Sequence, residues 1–111
     1  MTVENTGISL YCCGEEMQKL EPNTSEASGE KHLPVAWLKQ GCLEADVGSA
    51  AHPMEEKHHI AWIALEEEQG IQLRYLSSAE APHAVFQLAE SVRPLRVYAY
   101  CNLHGLWKTE I

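Results

Sequence analysis

A thiol and an imidazole stand three positions apart in the segment CNLHG at 101–105, as Cys101 and His104. The segment follows a predicted strand, and a tight turn that ends in glycine can aim both side chains at one point. Thiolate and imidazole both bind transition metals, so the spacing indicates a metal-binding turn. A buried cysteine beside a surface histidine explains the pair equally well, and this segment alone does not decide between the two.

Two more imidazoles flank a charged sequence, as His52 and His58 in HPMEEKH. Six positions on an extended strand separate two side chains by about 20 Å, and on a helix the same spacing puts them on different faces. Pro53 interrupts both regular structures. The two histidines can therefore share a metal only across a loop. A solvated charged loop with two incidental histidines is the alternative.

The third segment is EKHLP at 30–34, in which we expect His32 to be extended next to the start of a strand. A single histidine in such a place usually lies at the surface without a ligand. The metal interpretation gains its weight from the joint occurrence of EKHLP, HPMEEKH and CNLHG, in this order, along one chain.

Composition and charge limit the classes of protein that fit. The 111 residues are 45% hydrophobic and 22% charged, which is typical of a single globular domain. A formal charge of −8 would repel nucleic acid and anionic membranes, so neither is an expected partner. We find no signal-peptide pattern and no apolar run long enough to span a membrane, and we expect a cytoplasmic protein. In that reducing compartment the four cysteines favour free thiols or metal thiolates over disulfides.

The chain divides into a short polar beginning and one patterned region. Residues 1–30 contain few structure signals, and we expect an N-terminal arm and linker there, followed by one domain at 31–111. In the domain, apolar runs of five to eight residues are separated by turn signals. This spacing predicts an all-β sandwich or barrel.

Individual strands are predicted from the period of the apolar residues. Alternation at 71–75 and again at 96–101 predicts two strands, each with one buried face. The residues expected on these faces are Ile71, Leu73 and Tyr75 in the first strand, and Val97, Ala99 and Cys101 in the second. Segment 59–65 is apolar on both parities, which favours a central strand over a short buried helix. Segment 84–92 is ambiguous, because its apolar residues also recur at helical spacing.

Together these segments resemble the iron-binding signature of the superoxide reductases, the neelaredoxin and desulfoferrodoxin family. The likeness runs from about Leu10 to the end of the chain and includes CCGEEM at 12–17 and LWK at 106–108. It implies that four roughly equatorial imidazoles and one axial thiolate bind iron, from His32, His52, His58, His104 and Cys101. It also implies that His104 binds through Nδ1 and the other histidines through Nε2, with the sixth position open to solvent.

The resemblance also implies a function, the one-electron reduction of superoxide to hydrogen peroxide at one Fe2+/Fe3+ centre per chain. Electrons would come from an external donor such as a rubredoxin. Glu30 matches the carboxylate that can take the sixth position in the ferric state, and Lys31 matches the cation beside the entry. Independently of the resemblance, five protein ligands exceed the closed tetrahedral site of structural zinc, and imidazole with thiolate suits iron.

The fold implied by the strand pattern and the resemblance is an immunoglobulin-like β-sandwich of about seven strands, with the iron held by loops at one end. The resemblance further implies a homo-oligomer, either a dimer or a tetramer. The alternative function is a non-catalytic module of the same fold that binds zinc or iron without turnover. The Glu30–Lys31 pair argues against that alternative, because a purely structural site has no use for a cation beside an open position.

Other cysteines and histidines receive no place in the predicted centre. Cys12 and Cys13 have no earlier cysteine to pair with, so one chain cannot supply the four thiolates of the family's second iron site. We predict that this second site is absent, and a site shared between two subunits is the less favoured alternative. Cys42 is interpreted as a small hydrophobic residue in a strand. His59 and His83, the latter in a predicted loop, are not assigned to metal.

Overall fold

Seven strands form the two antiparallel sheets of a sandwich in the computed structural model, which describes residues 11–12, 15–16, 23, 29–48 and 52–111. The elements, in chain order, are β1 (Tyr11–Cys12), β2 (Glu15–Glu16), α1 (Gly29–His32), β3 (Pro34–Lys39), β4 (Cys42–Val47), β5 (Ile60–Glu67), β6 (Gly70–Tyr75), β7 (His83–Gln87), β8 (Pro94–Cys101) and β9 (Gly105–Glu110). One sheet has the order β3-β4-β7 and the other β6-β5-β8-β9, while β1 and β2 pair with each other. The predicted all-β, immunoglobulin-like sandwich is confirmed.

Most of the predicted arm and linker, residues 1–30, lies outside the described residues. Asn23 is described, and it lies at the free edge of β9. Its side chain accepts a hydrogen bond from the Lys108 N–H at 2.8 Å and donates one to the Lys108 carbonyl at 3.2 Å. Its φ of 60° is a left-handed conformation that asparagine tolerates better than most residues. Within the described part of the chain, no helix is long and apolar enough to cross a membrane.

The core lies between the two sheets and is built from alternate residues of each strand. The buried sets of β4 and β8 are Leu43, Ala45 and Val47, and Val97, Ala99 and Cys101. Because successive side chains of a strand point to opposite faces, this alternation seals one face of each sheet from water. The predicted strand at 96–101, with one buried face, is confirmed.

The predicted central strand at 59–65 is also confirmed, because β5 pairs with β6 on one side and with β8 on the other. The alternative of a short buried helix is thereby excluded. The pairing with β8 shifts in register between Ile60 and Trp62. The extra residue lets Ile60 and Ile63 both point into the core, although they stand at opposite parity.

The prediction for β6 is half wrong. The strand forms, but Leu73 and Tyr75, which were expected to be buried, are 38% and 73% exposed. The register pairs Tyr75 with Trp62 of β5, and Trp62 stacks on Tyr100 with ring centroids 5.6 Å apart. These side chains therefore share the outer face of the four-stranded sheet. Alternation defines two faces of a strand, but it does not say which face meets the second sheet.

The ambiguous segment 84–92 begins in a strand. β7 pairs with β4, opposing Ala84 to Ala45 and Phe86 to Leu43. His83 was predicted in a loop and is instead the first residue of this strand. Packing against β4 overrides the weak helical spacing, because Ala84 and Phe86 are buried by the strand period and not by the helical one.

The prediction that His32 is extended is wrong, because His32 lies in the helical turn α1. The backbone N–H of Leu33 donates to the carbonyl of Gly29 at 2.8 Å and closes this turn. Pro34 lacks an N–H and disfavours a helical conformation at the residue before it. The helical turn therefore ends at His32, and β3 begins directly after Leu33.

One end of the sandwich collects the three segments that contain the predicted ligands. The first residue of β5, Ile60, pairs with Cys101, the last residue of β8, and Gly105 of β9 pairs with the same cysteine. Gly105 has a φ of 82°, which an L side chain rarely adopts. The ring centroid of His32 in α1 lies 4.8 Å from that of His104 in the turn after β8. Helix α1, the loop before β5 and the turn after β8 are therefore neighbours.

Candidate metal centre

The loop before β5 brings two histidines together. The backbone N–H of Glu55 donates to the His58 carbonyl at 2.9 Å, and the N–H of His58 donates to the Glu55 carbonyl at 3.2 Å. This reciprocal pair reverses the chain, so the ring centroids of His52 and His58 lie 4.7 Å apart despite six positions of sequence separation. The two imidazoles meet across a loop, which is the arrangement that their spacing required.

Four imidazoles form a closed circuit at this end of the sandwich. Neighbouring ring centroids lie 4.7 to 5.0 Å apart, in the order His32, His52, His58, His104 and back to His32. Each neighbouring pair is nearly perpendicular, with interplanar angles of 75° to 85°. The rings of His32 and His58, on opposite corners, are 6.4 Å apart. Perpendicular rings around a common centre can all direct a nitrogen inward without clashing.

A buried cysteine lies beside the circuit. The ligand atoms of His32, His58, Cys101 and His104 all lie within 4.8 Å of one another. The Sγ of Cys101 is 3.8 Å from His104 Nδ1, and His104 Nδ1 is 3.0 Å from His32 Nε2. Cys101 is fully buried, and its sulfur accepts the backbone N–H of His104 at 3.4 Å. The thiolate is the form of cysteine that binds metals.

The hydrogen bonds of His52 determine which of its nitrogens is available. Its Nδ1 lies 2.7 Å from the Pro53 carbonyl, which can only accept, so Nδ1 bears the proton and donates. The lone pair is then on Nε2, which is buried and has no hydrogen-bond partner among the described residues. The Nε2 of His58 is buried without a described partner in the same way. Buried polar atoms are nearly always satisfied, so two such nitrogens in neighbouring rings fit a site that binds a cation.

The pKa of His52 is lowered to about 4, mainly by burial and to a smaller extent by the neighbouring imidazoles of His32, His58 and His104. The hydrogen bond to the Pro53 carbonyl acts in the opposite direction and is outweighed. His52 is therefore neutral at pH 7. Neutral imidazole is the state that binds metals, because protonation occupies the lone pair.

Trp107 supports two members of the circuit and was given no role by sequence reasoning. Its ring stacks on His32 with centroids 4.9 Å apart and an interplanar angle of 23°, and its Nε1 donates to the His104 carbonyl at 3.2 Å. Trp107 is 4% exposed. The position of Trp107 two residues after CNLHG was the only signal in the sequence for a role at this site. A tryptophan in a strand is usually a core residue, so this position alone does not predict contacts with the two histidines.

Several predicted residues lie outside this geometry. Lys31 is exposed in α1, directly before His32. The side chains of Glu30 and Cys12, and the whole of Cys13, lie outside the described residues. Cys42 is a half-buried free thiol in β4, and its predicted place in a strand is confirmed.

The two unassigned histidines have other contacts. The Nδ1 of His59 lies 2.9 Å from the Glu55 carbonyl. His83 lies between two carboxylates, with Nδ1 2.6 Å from Asp46 and Nε2 3.4 Å from Glu44. Neither histidine belongs to the cluster of ligand atoms found among the described residues.

The donor set fits a transition metal better than a hard cation. It consists of imidazole nitrogens and a sulfur, whereas calcium and magnesium prefer oxygen. With His52 it offers five donors, which is one more than a closed tetrahedral zinc site uses. The arrangement can therefore hold an iron ion with one coordination position left for a small ligand.

Comparison with known proteins gives the chain its family. Residues 24–110 match the desulfoferrodoxin family. The chain is 46% identical to a desulfoferrodoxin of Syntrophotalea carbinolica, over 91% of this chain and 79% of that protein. It is 35% identical to a superoxide reductase of Pyrococcus horikoshii, over 86% of this chain and 97% of the relative.

Solved structures give the same result. The crystal structure of the superoxide reductase from Treponema pallidum superimposes with a TM-score of 0.89 at 38% identity, covering 94% of this chain and 86% of that one. A one-iron superoxide reductase from Giardia intestinalis superimposes with a TM-score of 0.64 at 26% identity, covering 74% of this chain and 97% of the other. The family match, the sequence relatives and the solved structures all agree with the fold and with the cluster of histidines and cysteine described above. The chain belongs to the desulfoferrodoxin family.

Proposed function

We propose that the chain is a superoxide reductase, an oxidoreductase that adds one electron and two protons to superoxide and releases hydrogen peroxide. The observation that supports this most directly is the closed circuit of four imidazoles beside the buried sulfur of Cys101. Relatives and solved structures with the same fold are named superoxide reductases. The metal that we propose for this site is a single iron ion in each chain.

The residues proposed to bind iron are His32, His52, His58, His104 and Cys101. The unsatisfied Nε2 atoms of His52 and His58 support binding through Nε2 at those positions. The close approach of His104 Nδ1 to His32 Nε2, at 3.0 Å, supports Nδ1 as the donor of His104 and Nε2 as that of His32. When bound, the iron supplies the one-electron chemistry by changing between its ferrous and ferric states.

Cys101 is proposed to set the electron-donating character of the site. A thiolate is an anionic, polarisable donor that stabilises the oxidised metal, and its hydrogen bonds moderate how strongly it donates. The backbone N–H of His104 makes such a bond to Cys101 Sγ at 3.4 Å. The turn that presents the sulfur therefore also moderates how strongly it donates to a metal.

Lys31 is proposed to attract the substrate, which is an anion approaching a protein of charge −8. Charges interact strongly only within a Debye length of about 8 Å at physiological salt, so a local cation outweighs distant carboxylates. Lys31 is exposed and directly precedes His32 in α1. Glu30, the residue before it, is proposed as the carboxylate that approaches the open position when the iron is oxidised.

Each turnover uses one electron. A single ferrous ion can supply one electron and must then be reduced again before it can react a second time. An external electron donor such as a rubredoxin is therefore part of the proposal.

We also propose that the protein is a homo-oligomer, a dimer or a tetramer, and that it is located in the cytoplasm.

Metal analysis combined with a superoxide assay tests the proposal. Protein purified without oxygen should contain one iron per chain, acquire a visible absorption band on oxidation and consume superoxide in a stopped-flow experiment. Zinc in the same site would be colourless and inactive, as expected for a non-catalytic module. Iron-loaded protein that leaves superoxide untouched would contradict the proposed function.

A further inference from the structure

We infer that Asn102 is a positioning residue of the metal centre, which fixes His58 relative to Cys101 and His104. The inference rests on the proposed function in one respect, that these residues bind the metal. Asn102 lies in the turn between Cys101 and His104. Its side-chain Oδ1 accepts the backbone N–H of His59 at 2.9 Å, and its Nδ2 donates to the carbonyl of Lys57 at 3.0 Å.

These two hydrogen bonds hold the peptide groups on both sides of His58, the one that joins it to Lys57 and the one that joins it to His59. The backbone N–H of Asn102 adds a third bond, to the carbonyl of His59 at 3.1 Å. Fixing the flanking peptides fixes the position of the His58 Cα and the direction of its Cα–Cβ bond. Only rotation about χ1 and χ2 then remains to change the position of the imidazole relative to the metal.

The contacts begin where the β-ladder ends. The last backbone pair of β5 and β8 at this end joins Ile60 to Cys101. Beyond it one backbone bond remains, from the Asn102 N–H to the His59 carbonyl, and the side chain of Asn102 makes the other two contacts between the segments. It thereby joins two proposed ligand segments that are 43 residues apart in sequence.

The chemistry of the side chain explains why asparagine stands there. The two contacts need one donor and one acceptor in a single planar group, which the amide supplies and a carboxylate or an alkyl group does not. A left-handed backbone is not the reason, because Asn23 is the only non-glycine residue with positive φ in the described part of the chain. Asn102 is also exposed, so burial in the core does not account for it.

Residues that orient metal ligands typically change metal affinity by about 10- to 100-fold when they are mutated. We expect this range for Asn102→Ala, measured as the dissociation constant for Co2+ in competition with a chelator. The charge-transfer band between the Cys101 thiolate and Co2+ should also shift or weaken, because a displaced His58 changes the coordination of the ion. Amide hydrogen exchange at His59 should become faster in the metal-free variant.

Asn23→Ala is a matched control. Asn23 is also exposed, and its side chain also makes one donor and one acceptor bond to the backbone of a distant segment, at Lys108. This variant should bind Co2+ within about twofold of the unmodified protein, with an unchanged spectrum. If Asn102→Ala does not fold, Asn102→Asp, which has the same shape but lacks the donor to Lys57, takes its place with the same expectation.

Wild-type affinity and spectrum in the Asn102 variant would overturn the inference, and so would an equal loss in Asn23→Ala. These results leave the proposed function intact, provided that the unmodified protein binds Co2+ with a thiolate band. If the unmodified protein shows no thiolate band with Co2+, both the proposed metal site and the inference fail.

Discussion

His83 and His52 have the same side chain in opposite surroundings. His83 lies on the outer face of the three-stranded sheet, 36% exposed, with a carboxylate oxygen beside each ring nitrogen. His52 is 3% exposed and has one nitrogen bonded to the Pro53 carbonyl and the other without a described partner. The comparison teaches that buried lone pairs facing one point mark a metal site, whereas the number of histidines or acidic neighbours does not.

The electrostatics of the two regions differ in the same sense. Around His83 the carboxyl of Glu44 has a pKa below its usual value, first because Lys39 donates a hydrogen bond to it. The negative charge of Glu44 is therefore already matched by Lys39. In the circuit of imidazoles, burial keeps His52 neutral, and the positive charge must come from outside.

The largest expected effect in this comparison comes from Cys101→Ser. Removal of the thiolate should abolish the visible thiolate-to-iron band and raise the reduction potential of any iron that remains, because the donor that stabilises the oxidised metal is gone. Absorption spectroscopy and potentiometry of the iron-loaded variant measure both. Cys42→Ala is the control and should keep the colour. An unchanged spectrum in Cys101→Ser would show that Cys101 is not a ligand.

Deletion of one histidine from each region tests the contrast directly. His52→Ala should weaken binding of Fe2+ or Co2+ by roughly 100-fold, because a binding free energy of the size known for structural zinc, about 10–16 kcal/mol, is shared among five ligands. His83→Ala should leave the affinity within about twofold. Chelator competition measures both variants, and equal losses would refute the distinction between the two regions.

Removal of one lysine from each region separates attraction of substrate from surface charge in general. Lys31→Met should lower the second-order rate with superoxide by roughly tenfold to a thousandfold, the range of electrostatic focusing, and should weaken its dependence on ionic strength. Lys39→Met, which removes the ion pair with Glu44, should change the rate much less. A full rate at low salt in Lys31→Met would assign the attraction to another group.

The smallest effect is expected from Glu44→Gln. The folded-state pKa of this carboxyl is lowered, so its stabilising contribution is present above the unfolded value of 4.5 and is lost as the pH falls below it. Its partner Lys39 is 67% exposed, so the ion pair is weak, and the melting temperature at pH 7 should fall by about 2 °C or less. Thermal unfolding at pH 7 and at pH 3 tests this, since the difference from the unmodified protein should be smaller at pH 3, where the carboxyl becomes protonated in both states.

The alternation of apolar residues predicted where strands lie. It predicted the buried face correctly for one strand and wrongly for another. The alternation that ends at Cys101 predicted β8 and its inward face, because both neighbours of that strand are strands of the same sheet. The same pattern in β6 predicted the strand but the wrong face, because β6 is an edge strand. The prediction that His32 is extended failed for a local reason. A single helical turn fits between Gly29 and Pro34, and one turn is too short to produce a periodic pattern in the sequence.

The sequence by itself determined the chemical inventory: imidazoles in three short segments, a thiol three residues before a histidine, and a glycine that permits the turn after them. Tertiary structure decided which of those groups meet. It closed the circuit of rings, placed His83 on another face and set Asn102 against the backbone around His58. The physical reason is that residue type fixes what a group can bind, whereas distance and unsatisfied lone pairs depend on contacts between segments tens of residues apart.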